Sequence, residues 1–195
     1  MRSYNRAMAR LELKFLGGLD VIRDGQSLAL PPSKKTRALL AYLALNRRAF
    51  RREHLCELLW EVPDDPRGSL RWSLSKLRRL VDEPDRARIV ADRATVRFDA
   101  TDARIDVVAL QELTDEELER RSTDELEGLV ARCSGTPLEG LELPDFHEYQ
   151  AWCVAERELA TRAQARLCKA LIRRLAEDPA RALPHAHALV RLCPH

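Results

Sequence analysis

Residues 64–82, DDPRGSLRWSLSKLRRLVD, admit one regular structure. Leu70, Leu74, Leu77 and Val81 recur at i, i+4, i+7 and i+11. A helix gathers them into a single apolar stripe, whereas a strand would scatter them over both faces. Asp64 or Asp65 can cap its start, with Pro66 at the first helical position, where a missing N–H costs nothing. Opposite the stripe fall Trp72, Ser75, Lys76 and Arg79, flanked by Arg71 and Arg78. One side of this helix must therefore be docked on a core. The other is either an ordinary solvated face or a face for an electronegative groove with base edges to read.

The chain before this helix supplies what it docks on. Leu11, Leu13 and Phe15 alternate with Glu12 and Lys14, the period of a half-buried strand. Gly17-Gly18 interrupts it, and a second extended run covers residues 19–23. Asp24-Gly25 is then a two-residue hairpin signal returning the chain through residues 27–30. Pro31-Pro32 stops extension, and Ser33 can cap a helix reaching Asn46 with Leu39, Tyr42 and Leu43 on its apolar side. Lys34, Lys35 and Arg37 crowd the first turn of that helix, where cations oppose the dipole. A phosphate lying there would offset the repulsion and use the free N–H groups; simple solubilising charge is the other reading.

Residues 46–52 read as a turn carrying Arg47, Arg48, Arg51 and Arg52. A short helix follows at 53–60, then a loop at 61–64. Beyond the basic helix, Asp82-Glu83-Pro84 ends it, and Ile89-Val90-Ala91 and Thr95 to Phe98 form two strands around Asp92-Arg93-Ala94. A small sheet, three helices with the third basic, and a hairpin predict an α+β winged helix-turn-helix over residues 11–100. Residues 1–10 are expected to be a flexible tail, and 11–100 to fold and bind DNA on their own.

The remainder reads as helical. Val107, Val108, Leu110 and Leu113 outline a short helix, and Thr114-x-x-Glu117 and Ser122-x-x-Glu125 are capping-box patterns opening two more. Residues 135–144, with two glycines and two prolines, form a loop. Asp145-x-x-Glu148 then opens a long helix whose stripe runs through Tyr149, Trp152, Cys153, Leu159, Ala163, Leu167, Leu171 and Leu175. Its two aromatics share the stripe and so read as core. Asp178-Pro179 breaks this helix, and Ala182, Leu183, Ala186, Leu189 and Val190 belong to another. Such pairs stack as tetratricopeptide (TPR) units do, here without a repeated consensus. Residues 101–195 are thus expected to be an all-α, TPR-like domain, truncated at its C-terminus.

Charge divides the chain at the same place. The net charge of +2 conceals +8 over residues 1–100 and −6 over residues 101–195. A basic half joined to an acidic half implies a polyanion-binding module beside one that binds something else. Cys56, Cys133, Cys153, Cys168 and Cys193 are scattered without a CxxC and read as small buried hydrophobes in a reducing compartment. His185 and His187 fall on different sides of a helix, which argues against a metal held with Cys193 and His195. No apolar run approaches the ~18 residues of a membrane span, and the basic N-terminus lacks the apolar stretch of a secretion signal. A cytoplasmic protein is expected, with neither membrane partner nor cofactor.

The block LELKFLGGLDVIRDGQSLALPPSKKTRALLAYLALNRRAFRREHLCELLW…SLRWSLSKLRRLV resembles the OmpR-type winged helix of the Streptomyces antibiotic regulatory protein (SARP) family. GTPLEGLELPDFHEYQAWCVAERELATRAQARL resembles the bacterial transcriptional activator domain that follows it in that family. Together they cover nearly all of residues 11–195. The resemblance implies a transcriptional activator that binds promoter direct repeats head-to-tail and engages RNA polymerase. It also implies that Arg71, Trp72, Ser75, Lys76, Arg78 and Arg79 hold the positions contacting bases and phosphates, in agreement with the helical wheel. One departure concerns the wing tip, where the family carries glycines and this chain has Asp92-Arg93-Ala94-Thr95. Only Arg93 keeps the minor-groove cation, and Asp92 beside it would repel phosphate.

No P-loop, His-Glu metal motif or nucleophile elbow occurs, so no catalytic activity is expected. The sequence therefore predicts a DNA-binding transcriptional regulator. The rival is a signalling scaffold with a degenerate winged helix and a protein-docking helical domain.

Overall fold

Leu11 and Leu13 are fully buried while Lys14 is exposed, so the alternation at the N-terminus is that of strand β1 (Leu11–Lys14) lying over a core. The computed structural model describes residues 11–60 and 65–193; the expected tail at 1–10, the loop at 61–64 with Asp64, and His195 lie outside them. β1 pairs antiparallel with β2 (Asp20–Arg23), and β2 with β3 (Gln26–Ser27). The hairpin turns on Asp24 (φ 49°) and Gly25 (φ 82°), both left-handed, as a type I′ turn requires. The return strand is shorter than the expected 27–30. After the Leu28 N–H donates to Val21, the chain leaves the ladder towards Pro31-Pro32, which have no amide hydrogen to continue it.

Helix α1 (Lys34–Asn46) begins at Ser33, whose side chain accepts from the Thr36 N–H. Thr36 and every residue from Ala38 to Ala44 are buried, so α1 is enclosed along most of its length. The expected turn at 46–52 contains a short strand, β4 (Phe50–Arg51). Two residues cannot display a periodicity, and only pairing with β6 defines them. Helices α2 (Arg52–Leu59) and α3 (Pro66–Val81) follow. Asp65 caps α3 by accepting from the Gly68 N–H at 2.8 Å, with Pro66 in the first turn. Leu70, Leu74, Leu77 and Val81 are all buried, and Ser73 and Leu80 widen the buried side. Ser73 Oγ meets Thr36 Oγ1 at 2.9 Å, satisfying two buried hydroxyls and tying α3 to α1. Strands β5 (Ile89–Ala91) and β6 (Thr95–Phe98) form the expected hairpin, within a three-stranded sheet ordered β4-β6-β5.

Strand β7 (Ala103–Ile105), which the sequence had assigned to an all-helical half, pairs parallel with β1 and completes a four-stranded sheet ordered β3-β2-β1-β7. The helices α4 (Asp106–Gln111), α5 (Asp115–Arg120), α6 (Thr123–Arg132), α7 (His147–Arg174) and α8 (Pro179–Leu192) follow. Both capping boxes form, at Thr114/Glu117 and Ser122/Glu125. Asp145 does not open α7; the helix starts after Phe146 without a side-chain cap.

The charge boundary at residue 100 is not a packing boundary. Leu138, Leu141, Leu143, Tyr149, Cys153 and Ala160 belong to the same buried cluster as Leu11, Leu39, Leu74 and Phe98. Backbone joins the halves too: Gly17 N–H donates to Thr136 O at 2.9 Å and Leu138 N–H to Phe15 O at 2.8 Å. A Cβ on Gly135 would fall 2.6 Å from the Gly17 nitrogen, so glycine is required there. The Asp106 carboxylate accepts from the Phe15 and Leu16 N–H groups at 2.8 and 3.0 Å. A second cluster (Leu110, Leu118, Leu126, Ala163, Leu167, Leu171, Leu175) lies wholly within α4–α7 and the residue that ends α7. Cys56, Cys153 and Cys168 are buried as expected, but Cys133 is half-buried and Cys193 is exposed. No helix of the described residues is long and apolar enough to cross a membrane.

Candidate nucleic-acid interface

With its leucine stripe fixed in the core, α3 turns Arg71, Trp72, Ser75, Arg78 and Arg79 to solvent, and Lys76 lies half-buried among them. Trp72 is 47% exposed, an unusual position for an indole that has a core nearby. Lys76 Nζ lies 5.2 Å from the centroid of its ring, within range of a cation–π attraction. Arg71 reaches back to the capping Asp65 at 3.8 Å, an exposed and weak pair that a phosphate can replace. Arg78 and Arg79 occupy the last turn, where cations complement the helix dipole. All six residues expected on this face therefore share it. Beside them, Ser33, Trp60, Asp65, Gly68, Ser69, Trp72 and Ser73 line a shallow hollow of about 440 Å³ between the starts of α1 and α3.

The cations of α1 do not join this face as free groups. Lys34 Nζ is 3.9 Å from Glu142, which Arg157 also holds, and Lys35 Nζ sits 4.1 Å above the Phe146 ring. Arg37 is half-buried, with its Nε shielded from water. Both lysines thus face the connection leading into α7. The Lys34–Glu142 pair is long and partly exposed, as weak as that of Arg71 with Asp65.

The hairpin tip is built differently from a glycine turn. Asp92 Oδ1 accepts from the Ala94 and Thr95 N–H groups at 2.7 and 2.6 Å, and Oδ2 from Thr95 Oγ1 at 3.1 Å. These bonds, the Thr95 amide first, hold the Asp92 carboxyl below its ordinary pKa. Asp92 is the residue that makes the turn. Arg52, opening α2, donates from Nε to Asp92 O at 2.8 Å and from its backbone N–H to Ala94 O at 2.9 Å. The tip is therefore anchored to α2, with Arg93 exposed at its end.

Two cations escaped the sequence reading as site residues. Arg51 pairs with Thr95 across β4 and β6, and Arg97 lies two residues further along β6, so the pleat puts both on one face. Both are exposed, on the side opposite the buried Phe50, Val96 and Phe98. The alternation Val96-Arg97-Phe98 carried this signal for Arg97. For Arg51 no local signal existed, because its orientation depends on the pairing of β4.

No protein family's sequence profile matches the chain, and no curated protein matches it. Among solved structures, it is similar to EmbR of Mycobacterium tuberculosis, determined in complex with a low-affinity phosphopeptide. The two are 23% identical, with a TM-score of 0.57 over 94% of this chain and 54% of the other. The likeness is one of fold: a mixed α+β protein with a small N-terminal sheet and a C-terminal helical part. This chain spans about half the length of the EmbR chain.

Proposed function

We propose that this protein is a sequence-specific, duplex-DNA-binding transcriptional regulator of the SARP type, acting in the cytoplasm without catalysis. Residues 11–100 are its OmpR-type winged helix. Residues 101–195 are a TPR-like activator domain that contacts RNA polymerase. Copies assemble head-to-tail on promoter direct repeats.

The observation that carries this reading is the outward face of α3, where Arg71, Trp72, Ser75, Lys76, Arg78 and Arg79 stand together opposite a fully buried stripe. Such a helix fits a major groove about 12 Å wide, with cations for phosphate and guanine edges and an indole for a thymine methyl. Arg93 on the anchored tip, and Arg51 and Arg97 on the sheet of the hairpin, are further exposed cations of this half. The sequence resemblance to the SARP family and the fold shared with EmbR support the same reading.

A gel-shift titration of the whole chain against random duplex at several salt concentrations tests it. The logarithm of affinity should fall linearly with that of salt, by about 0.9 per phosphate neutralised. Absence of binding near physiological salt would favour the scaffold. Binding-site selection from random DNA would then define the operator, and enrichment of direct repeats would support the assembly.

A further inference from the structure

The C-terminal end of α3 is held from across the molecule. Arg23, the last residue of β2, sends its Nη2 to the carbonyls of Leu80 at 2.7 Å and Asp82 at 3.0 Å. Carbonyls at a helix end have no partner within the helix, and a cation there meets the negative end of the dipole. The hairpin grips the same place, since Asp82 Oδ1 accepts from the Arg88 and Ile89 N–H groups at 2.8 and 3.0 Å. In the sheet, Arg23 pairs with Leu11, and Leu11 with Ala103. One row of residues therefore runs from the end of α3 through β2 and β1 to β7, the strand that leads directly into α4.

We infer that Arg23 is a positioning residue for DNA reading, fixing the recognition helix relative to the sheet on which the helical half is mounted. The inference rests on the DNA-binding function proposed above. α3 has 16 residues and is about 24 Å long, so a pivot of about 5° at one end moves the other by about 2 Å. Hydrogen bonds to base edges do not survive such a displacement. Attraction to phosphates is long-ranged and tolerates it. Loss of Arg23 should therefore lower discrimination between sequences and leave non-specific affinity in place. A phosphate-contacting arginine would give the opposite signature, weakening both alike and lowering the salt slope by about one.

The experiment uses the whole chain as wild type, Arg23→Lys and Arg23→Met. The probes are a duplex that the wild type enriches from a random pool and a random duplex of equal length, each titrated over a range of salt. With Arg23→Met, affinity for the enriched duplex should fall about tenfold or more, affinity for random duplex should change less than about twofold, and the salt slope should be unchanged. Arg23→Lys keeps the charge but not the guanidinium whose Nη2 donates to both carbonyls, and should fall between. If Arg23→Met does not fold, Arg23→Lys at its native melting temperature carries the comparison. Amide exchange at residues 80–82, without DNA, should be faster in either folded variant. Equal loss on both duplexes, or no change on either, overturns the role. A wild type that binds no duplex overturns the DNA-binding reading itself, and is recognised before any variant is made.

Discussion

Trp72, Lys76 and Arg78 show how position on one helix assigns different work to neighbouring side chains. Lys76 lies half-buried with its ammonium over the Trp72 ring, and Arg78 stands exposed in the last turn of α3. Lys76→Ala should cost about 1–3 kcal/mol on a preferred site and much less on random DNA. Arg78→Ala should weaken both equally and lower the salt slope by about one. Measuring both affinities for each variant at one salt, then the slopes, separates reading from holding; equal shifts for both variants would make α3 a positioning element and leave sequence to DNA shape. A buried residue bears a different load. Arg88 is 1% exposed, donates from Nε and Nη2 to Glu83 at 2.9 and 2.7 Å, and reaches the carbonyls of Asp99 and Thr101 through Nη1. Arg88→Met removes the guanidinium from a buried carboxylate and two carbonyls at once. It should destabilise the fold by about 3–5 kcal/mol in urea denaturation, and a loss under 1 kcal/mol would show that water replaces it.

At the scale of elements, α3 is held by shape as much as by charge. Leu74 is 1% exposed in mid-stripe, so Leu74→Ala should open a cavity costing about 2–5 kcal/mol. DNA binding lost in that variant would report unfolding, which a thermal melt distinguishes from a lost contact. The hairpin depends on pH through Asp92. Because its folded pKa is depressed by the Thr95 and Ala94 amides, its contribution is present above the ordinary carboxylate range and is lost as pH falls through the depressed value. The amide resonances of Ala94 and Thr95 should therefore move together at a pH below the usual aspartate titration. A transition at the ordinary aspartate pKa would mean that the turn does not hold its carboxylate. Asp92→Asn should remove most of the effect.

For the whole molecule, the two charge halves share one core, and this bears on where the chain can be cut. Ending it at residue 100 removes β7 from beside β1 and takes Leu138, Leu141, Leu143, Tyr149, Cys153 and Ala160 out of the large cluster. With Ile105 and Val107 these make eight buried side chains, and at about 1–3 kcal/mol each their burial is as large as the ~5–15 kcal/mol by which a small domain is folded. Residues 11–100 alone should therefore melt well below the whole chain, or show the dispersion loss of a poorly packed state in amide spectra. An equal melting temperature would show that the wings of the core are independent. The interdomain contacts of Lys34 with Glu142 and Lys35 with Phe146 would be lost in the same cut, freeing two cations and raising non-specific DNA affinity in whatever remains folded.

The sequence by itself determined the elements whose signals are local and repeated. The stripe of α3, the Asp24-Gly25 turn, Ser33 as a cap and the two capping boxes follow from side-chain spacing and from hydrogen bonds within a few residues. The exposed face of α3 was legible for the same reason, since burying one stripe fixes what lies opposite. Tertiary structure decided what depends on partners distant in sequence. β4 and β7 are too short to announce themselves and exist through pairing with β6 and β1. The lysines of α1 turn to Glu142 and Phe146, a hundred and more residues away, because the loop before α7 packs there. Asp92 is legible in the sequence as a charge opposed to phosphate, and only the folded hairpin shows that the same carboxylate also makes the turn. Local periodicity fixes which face a residue occupies, and only the packing of distant segments fixes what that face meets.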